Sequence, residues 1–419
     1  MGYAEAGPGL VGRLPRLGPS SPQTPLVTVL LTLAGIDLAL ALLFGSPGFA
    51  SWVNGLSTAT SPSPAWSFLQ QLTFPAWLDP LQPSGWQTRA GEACRIAGFV
   101  AVHCWLVLRF VRACAAPQFW SSAVLGTWLL APLAGPVAAV AGFVPSAGGP
   151  MRTAAERGLL RYEAVRLMVE STFYGAVAGV LGGIVIALVA LVHLTRSATA
   201  PGDTEGSSAD SSDGSPEDRS AADSSSPAAR RLRRATVVAG VGAAAALVAG
   251  LGSPLYQRFA AAADLSTAGG VLAATAGEVR WWVGPETVQA LAAPVSPAVE
   301  RLAAFVFCAV LACALIVLVK ALGPGLRPFA PFAMGWGATA FAGGIAAMYR
   351  GVGEAFLYLW SVRGVVSDPR GTVVDLVVDA VRNGIAHGLL CGWIIGAAIV
   401  AAQRYARTAA DASTSDARA

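Results

Sequence analysis

Hydrophobic and polar positions do not alternate along this chain. They segregate into long blocks. Eight apolar runs stand out: Leu26–Phe44, about 90–111, Trp120–Phe143, Tyr174–Leu194, Ala235–Leu251, Leu302–Val319, Phe329–Met348 and Ile385–Ala402. Most approach or exceed the ~18–20 residues that a helix needs to cross a bilayer. Continuous runs predict helices, because a lone segment in hydrocarbon must satisfy its own backbone hydrogen bonds. Membrane β-strands would instead alternate in short segments.

One long polar interval divides the runs into two groups of four. Thr195–Arg234 is rich in Ser, Asp, Gly and Pro and ends in "RRLRR" immediately before the fifth run. It has too little apolar surface to offset the entropy of ordering, so it reads as a disordered, acidic linker.

The groups resemble each other in order. "FGSPGF" at 44–49 is matched by "LGSPLY" at 251–256, and "LSTA" at 56–59 recurs at 265–268. "AGFV" at 97–100 meets "AAFV" at 303–306, and "AGPVAAV" at 134–140 meets "AGGIAAM" at 342–348. Finally "YGAVAGVLGG" at 174–183 meets "NGIAHGLLCG" at 383–392. The offsets stay between 206 (Ala97 to Ala303) and 209 (Gly175 to Gly384), the mark of an internal repeat. The expected fold is an all-α integral membrane protein with about eight transmembrane helices, arranged as two tandem four-helix repeats. An even number of spans gives both repeats the same orientation.

The organisation that follows is a tail at 1–24, repeat 1 at 25–194 and the linker at 195–234, then repeat 2 at 235–405 and a tail at 406–419. Outer loops at 45–89 and 252–300 hold Trp52, Trp66, Trp77 and Trp86, and Trp281 and Trp282. Tryptophan favours the membrane interface, so these loops are expected to lie on it.

Charge sets the sidedness. The RRLRR cluster, with Arg13, Arg16, Arg109, Arg112, Lys320, Arg327, Arg404 and Arg407, places both termini and the linker in the cytoplasm. The four arginines of Met151–Arg166 fall on the other side and oppose that assignment. The N-terminal "GFA" before Ser51 resembles a leader cleavage site. The preceding run is too long for a leader and is interrupted by Asp37, so it reads as a span.

Composition narrows the function classes. Hydrophobic residues make up 54% and charged residues 12%, which excludes an ordinary soluble domain. A net charge of +4, dispersed along the chain, gives no nucleic-acid footprint. Six cysteines form no C-x-x-C pair, so neither a disulfide framework nor a structural zinc site is indicated.

Asp37 is the sharpest oddity, a carboxylate just past the middle of an apolar span. Insertion there costs about 2.5–3.5 kcal/mol, and such residues face a bundle interior or a water-filled path. Its counterpart in the second repeat falls at 244–246, all alanine. His103, at comparable depth, is one candidate partner, and the Glu92/Arg95 pair nearer the outer edge is the other; together they form the candidate polar site.

Two glycine stripes, Gly175/Gly179/Gly183 and Gly384/Gly388/Gly392, are expected to form close helix-packing seams. At 100° per residue, the candidate outer-mouth charges Glu170 and Asp379 point away from those stripes. His103, His193 and His387 sit at three different depths and do not make one haem or metal site. Lys320 lies at the end of a span, unlike a Schiff-base lysine.

No catalytic motif or phosphate-binding loop is present, so neither an enzyme nor a cofactor is expected. The expected partners are the lipid bilayer, an ion or small-molecule substrate, and another membrane protein or a second copy. The slightly favoured reading is a transporter- or channel-like protein of the cell membrane; for Asp37 a proton or cation role stands beside the plainer reading of a structural, hydrogen-bonded or protonated aspartate. The alternative is a non-catalytic membrane scaffold, assembly factor or sensor.

Overall fold

The computed structural model describes residues 23–57, 68–70, 72–73, 86–114, 119–146, 154–199, 227–251, 297–322, 327–361 and 369–416. Among these residues the secondary structure is helical, without strands. The main helices are α1 (Gln23–Phe44), α2 (Pro47–Ser57), α3 (Trp86–Ala113), α4 (Phe119–Ser146), α5 (Ala154–Thr199), α6 (Pro227–Leu251), α7 (Pro297–Leu322), α8 (Phe329–Ser361) and α9 (Pro369–Asp416). Seven of them, α1, α3, α4, α5, α6, α7 and α9, are long and apolar enough to cross a membrane.

The remaining expected span, 329–348, forms most of α8 but is less apolar than the others. Its composition follows from its surroundings. Gly335, Gly337, Gly343 and Gly344 face neighbouring helices, where small residues replace the large aliphatic ones that lipid contact would favour. α4 occupies a similar inner position, with 72% of its span buried, against 22% for α1 and 17% for α6.

Helix also extends beyond several expected boundaries. α5 runs to Thr199 and α6 begins at Pro227, so both ends of the linker interval are helical. The α6 extension, "PAARRLRR", is built from strong helix formers behind a proline at the start. Residues 200–226 lie outside the described residues, as do Trp66, Trp77 and nearly all of the second outer loop. The segment expected as the first outer loop contains α2, whose Trp52 is exposed.

Each half has the same set of neighbours. In the first, α1 packs on α3, α3 on α4, α4 on α5, and α5 returns to α1. In the second, α6 packs on α7, α7 on α8, α8 on α9, and α9 returns to α6. The halves meet chiefly where α4 and α5 face α8 and α9. Trp128 and Phe341 stack edge to face across that contact, with ring centroids 5.1 Å apart. A backbone hydrogen bond from Arg327 N to the Ala113 carbonyl, 3.2 Å, ties the short connections after α7 and α3.

The most extensive close contact between helices is α8 against α9. The α-carbons of Gly343 and Gly384 face each other's carbonyl oxygens, with no room for a Cβ on either. A Cβ at Gly388 would lie 2.5 Å from the Thr339 carbonyl oxygen, and one at Gly392 2.5 Å from the Trp336 ring. Trp336 Nε1–H donates to the Leu389 carbonyl at 2.7 Å, and Gln403 Nε2–H donates to Thr236 Oγ1 at 2.8 Å, joining α9 to α6.

The first half departs from the expected seam at one position. Gly175 and Gly179 lie on the backbone of α4 at Thr127–Pro132, too close for a Cβ. Gly183, the third member of that stripe, does not belong to the tight contact. A Cβ there would meet the Val124 carbonyl oxygen at 3.6 Å and Trp128 Cβ at 3.7 Å, which is ordinary van der Waals distance. The contact at Gly183 is therefore looser than at Gly175 and Gly179, although a Cβ at Gly182 beside it would still meet Thr127 Cγ2 at 3.1 Å. Spacing by four keeps a residue on the right face, but it does not keep two helices in contact along their length.

A leucine at Gly388 should therefore force α8 and α9 apart, destabilising the protein by about 3 kcal/mol or more. Gly183→Ala and Gly242→Ala are the controls, the second having nothing within 4 Å of a built Cβ. Both should be neutral or more stable by up to ~1 kcal/mol. Thermal unfolding of the three variants in detergent measures the contrast.

Candidate functional site: a buried aspartate–histidine pair

α1 and α3 are neighbours, and each presents one polar residue inward from a mostly apolar face. Asp37 and His103 meet there, both with no solvent exposure. His103 Nδ1 lies 2.8 Å from Asp37 Oδ2, and its other nitrogen, Nε2, lies 3.0 Å from the Thr127 carbonyl oxygen of α4. Three helices thus fix one imidazole from both sides.

The geometry counts protons. A carbonyl oxygen only accepts, so Nε2 must carry a hydrogen and donate to Thr127. Nδ1 then has two options. If the ring is neutral, Nδ1 accepts, and Asp37 must be protonated to donate. If Asp37 is ionised, Nδ1 must also carry a hydrogen, and the ring is an imidazolium. Both options hold one more proton than an ionised aspartate beside a neutral histidine. Without that proton, one of the two hydrogen bonds is lost.

Two further oxygens at the pair are buried without a hydrogen-bond partner among the described residues, Asp37 Oδ1 and Thr127 Oγ1. Buried polar atoms are normally paired, and exceptions are places where water, an ion or a proton enters. The pair's surroundings are otherwise apolar or aromatic. Phe99 lies against the His103 ring at 5.6 Å between centroids, and Tyr174 of α5 packs edge to face on Phe99 at 5.3 Å. Tyr174 is within electrostatic range of Asp37 and only 1% exposed, so its ring lies in the buried layer behind Phe99.

The other residues singled out from the sequence lie elsewhere. Arg95 is two turns of α3 away from His103, about 12 Å along the axis. Its charged neighbours are Glu92 and Glu170, and its side chain lies against Gly142 of α4. That makes Glu92, Arg95 and Glu170 one cluster near the start of α3. Asp379 pairs within its own helix, Oδ1 3.3 Å from an Arg382 guanidinium nitrogen, and is exposed on the side away from the glycine contacts.

The three histidines are separate. His193 lies by Trp120, while His387 is buried near Phe307 with Cys391 Sγ 3.9 Å from its Nδ1. At the counterpart of Asp37, Ala244 is fully buried, so the second half has no carboxylate there.

Two apolar cavities of about 380 and 390 Å³ flank the Trp128–Phe341 contact between the halves. The first is lined by α4, α5, α8 and α9, the second by α4, α7 and α8. Neither Asp37 nor His103 lines them. No protein-family model, curated protein or solved structure matches the chain.

Depth within the spans pointed to Asp37 and His103. It gave no sign of Thr127, whose contribution is a backbone carbonyl, or of the Phe99–Tyr174 contact, which looks like any aromatic pair in a membrane helix.

Replacing one partner should separate pairing from charge. His103→Leu leaves a buried carboxyl without its partner and should cost about 3–5 kcal/mol. Asp37→Asn keeps a donor for Nδ1 and should stay within about 1 kcal/mol of wild type. Thermal unfolding of the purified variants measures both.

Proposed function

We propose that this multi-pass membrane protein is a proton-coupled, transporter-like protein, and that the Asp37–His103 pair is its proton-binding site. The observation that carries the reading is the two-sided hydrogen bonding of His103, which makes the geometry of three helices depend on one shared proton. A site whose packing changes when a proton leaves is the minimum requirement for coupling proton binding to movement.

The architecture that accompanies this reading is eight spans in two tandem repeats of the same orientation, with α8 as the eighth span, enclosed by others. The matching neighbours within each half and the ordered sequence matches support a duplication. The glycine stripes act as zippers, three residues long between α8 and α9 and two residues long, Gly175 and Gly179, between α4 and α5. Both termini and the segment around 200–226 are assigned to the cytoplasm by the arginine clusters. The substrate is the proton, with or without a small-molecule passenger, and the role is not enzymatic.

One observation favours the scaffold alternative. Asp37 and His103 are sealed from solvent, as a purely structural polar pair would be. Proton flux in proteoliposomes, read with an entrapped pH-sensitive dye, separates the two. Asp37→Asn, which keeps the hydrogen bond but cannot lose the proton, should reduce flux at least tenfold. Undiminished flux in that variant would remove the proton role, and absence of flux in the wild type would favour the scaffold reading.

A further inference from the structure

The two halves pack their third and fourth helices in different registers. In the first half, Gly135 of α4 faces Ser171 and Thr172 of α5. Its counterpart Gly343 faces Gly384 and Gly388, the counterparts of Gly175 and Gly179. Gly175 lies on Ala131 and Pro132, whereas Gly384 lies on Gly343 and Ala347, the counterparts of Gly135 and Ala139. Gly179 contacts Thr127, Trp128 and Ala131, whereas Gly388 contacts Thr339 and Ala340, the counterparts of Ala131 and Pro132. The nearest carbonyl to Gly183 is that of Val124, whereas Gly392 meets the carbonyl of Trp336, the counterpart of Trp128.

Each comparison gives the same displacement, about four residues or one helical turn, close to 5.4 Å. A one-turn shift returns the same face of each helix to the contact, since residues four apart share a face. The small-residue stripe is therefore compatible with either register.

The consequence for the buried pair is specific. α1, α3 and α4 hold Asp37 and His103, while α5 contributes Tyr174, behind Phe99. Moving α5 one turn toward the C-terminal end of α4, into the register of α9 on α8, carries Tyr174 away from Phe99. Ala178 takes its place, and a methyl group replaces a phenol ring behind Phe99.

We propose that α5 slides one turn along α4 and that this slide gates the Asp37–His103 site, sealed by Tyr174 in one register and opened beside Ala178 in the other. One-turn ratchets of packed helices are an established form of two-state switching. The proposal rests on the proton-site and duplication readings given above.

Spin labels encoded at Val140 on α4 and Leu188 on α5, both exposed positions, report the slide without touching the native cysteines. Pulsed electron-spin distance measurements on the full chain in liposomes should show two populations, the second shorter by about 5 Å. Tyr174→Ala should raise passive proton flux several-fold.

A single distance, with and without an imposed proton gradient, overturns the slide. If Asp37→Asn still abolishes flux in that case, the proton site stands alone. Two distances in a protein without proton flux overturn the functional reading, and the gate with it. Flux unchanged in a folded Tyr174→Ala variant overturns the seal. Should that variant fail to fold, the distance measurement on the otherwise wild-type chain decides the matter.

Discussion

Backbone-to-backbone approach at glycine is the constraint on which the rest of this structure depends. In a bilayer, helices gain no hydrophobic advantage from leaving lipid for one another, so association relies on close packing and interhelical hydrogen bonds. Where Gly343 meets Gly384 and Gly388 meets Ala340, helix surfaces come together without intervening side chains. This draws α8 to the inside of the second half and explains why its sequence is only moderately apolar. The contact between the halves is smaller, with one close approach where Gly337 of α8 lies on Leu129 of α4. It is centred on the Trp128–Phe341 pair, with an apolar cavity on either side.

Against that tight frame, the Asp37–His103 pair is an exception. A buried ion pair or a buried neutral acid–imidazole pair contributes little net stability compared with well-packed apolar residues. The second half shows the simpler solution, a buried Ala244. The first half keeps the polar pair, orients the imidazole with the Thr127 carbonyl, and backs it with Phe99 and, behind that, Tyr174. The polar asymmetry between similar halves then falls where proton chemistry is possible. The frame supplies rigidity, and the exception supplies a group whose state can change.

Much of the candidate site was legible in the sequence because membrane spans are a strict environment. A lone carboxylate in an apolar run demands a partner, and depth alone selected His103 from three histidines. Depth was a poor guide to Glu92 and Arg95. Both lie on the same helix as His103, but the charged group that Arg95 meets outside it is Glu170, which the sequence places seventy-five residues further along the chain. The charged faces around Asp379 and the glycine faces beside them followed from helical phase, since 100° per residue is a local property. Phase did not show that the seam loosens at Gly183, because the separation of two helices along their length is not a local property.

The sequence by itself determined the segments that become helices, the small-residue faces available for close packing, and the position of the isolated acid. These are consequences of local periodicity and of the cost of polar groups in hydrocarbon, which need no knowledge of neighbours. Tertiary structure alone decided which carbonyl receives the second imidazole hydrogen bond, which rings back the pair, and which of two equivalent registers each helix pair adopts. The reason is physical. A backbone carbonyl carries no sequence signature, and a stripe of small residues spaced by four looks the same after sliding one turn. Only the packing of the other helices can distinguish the two registers.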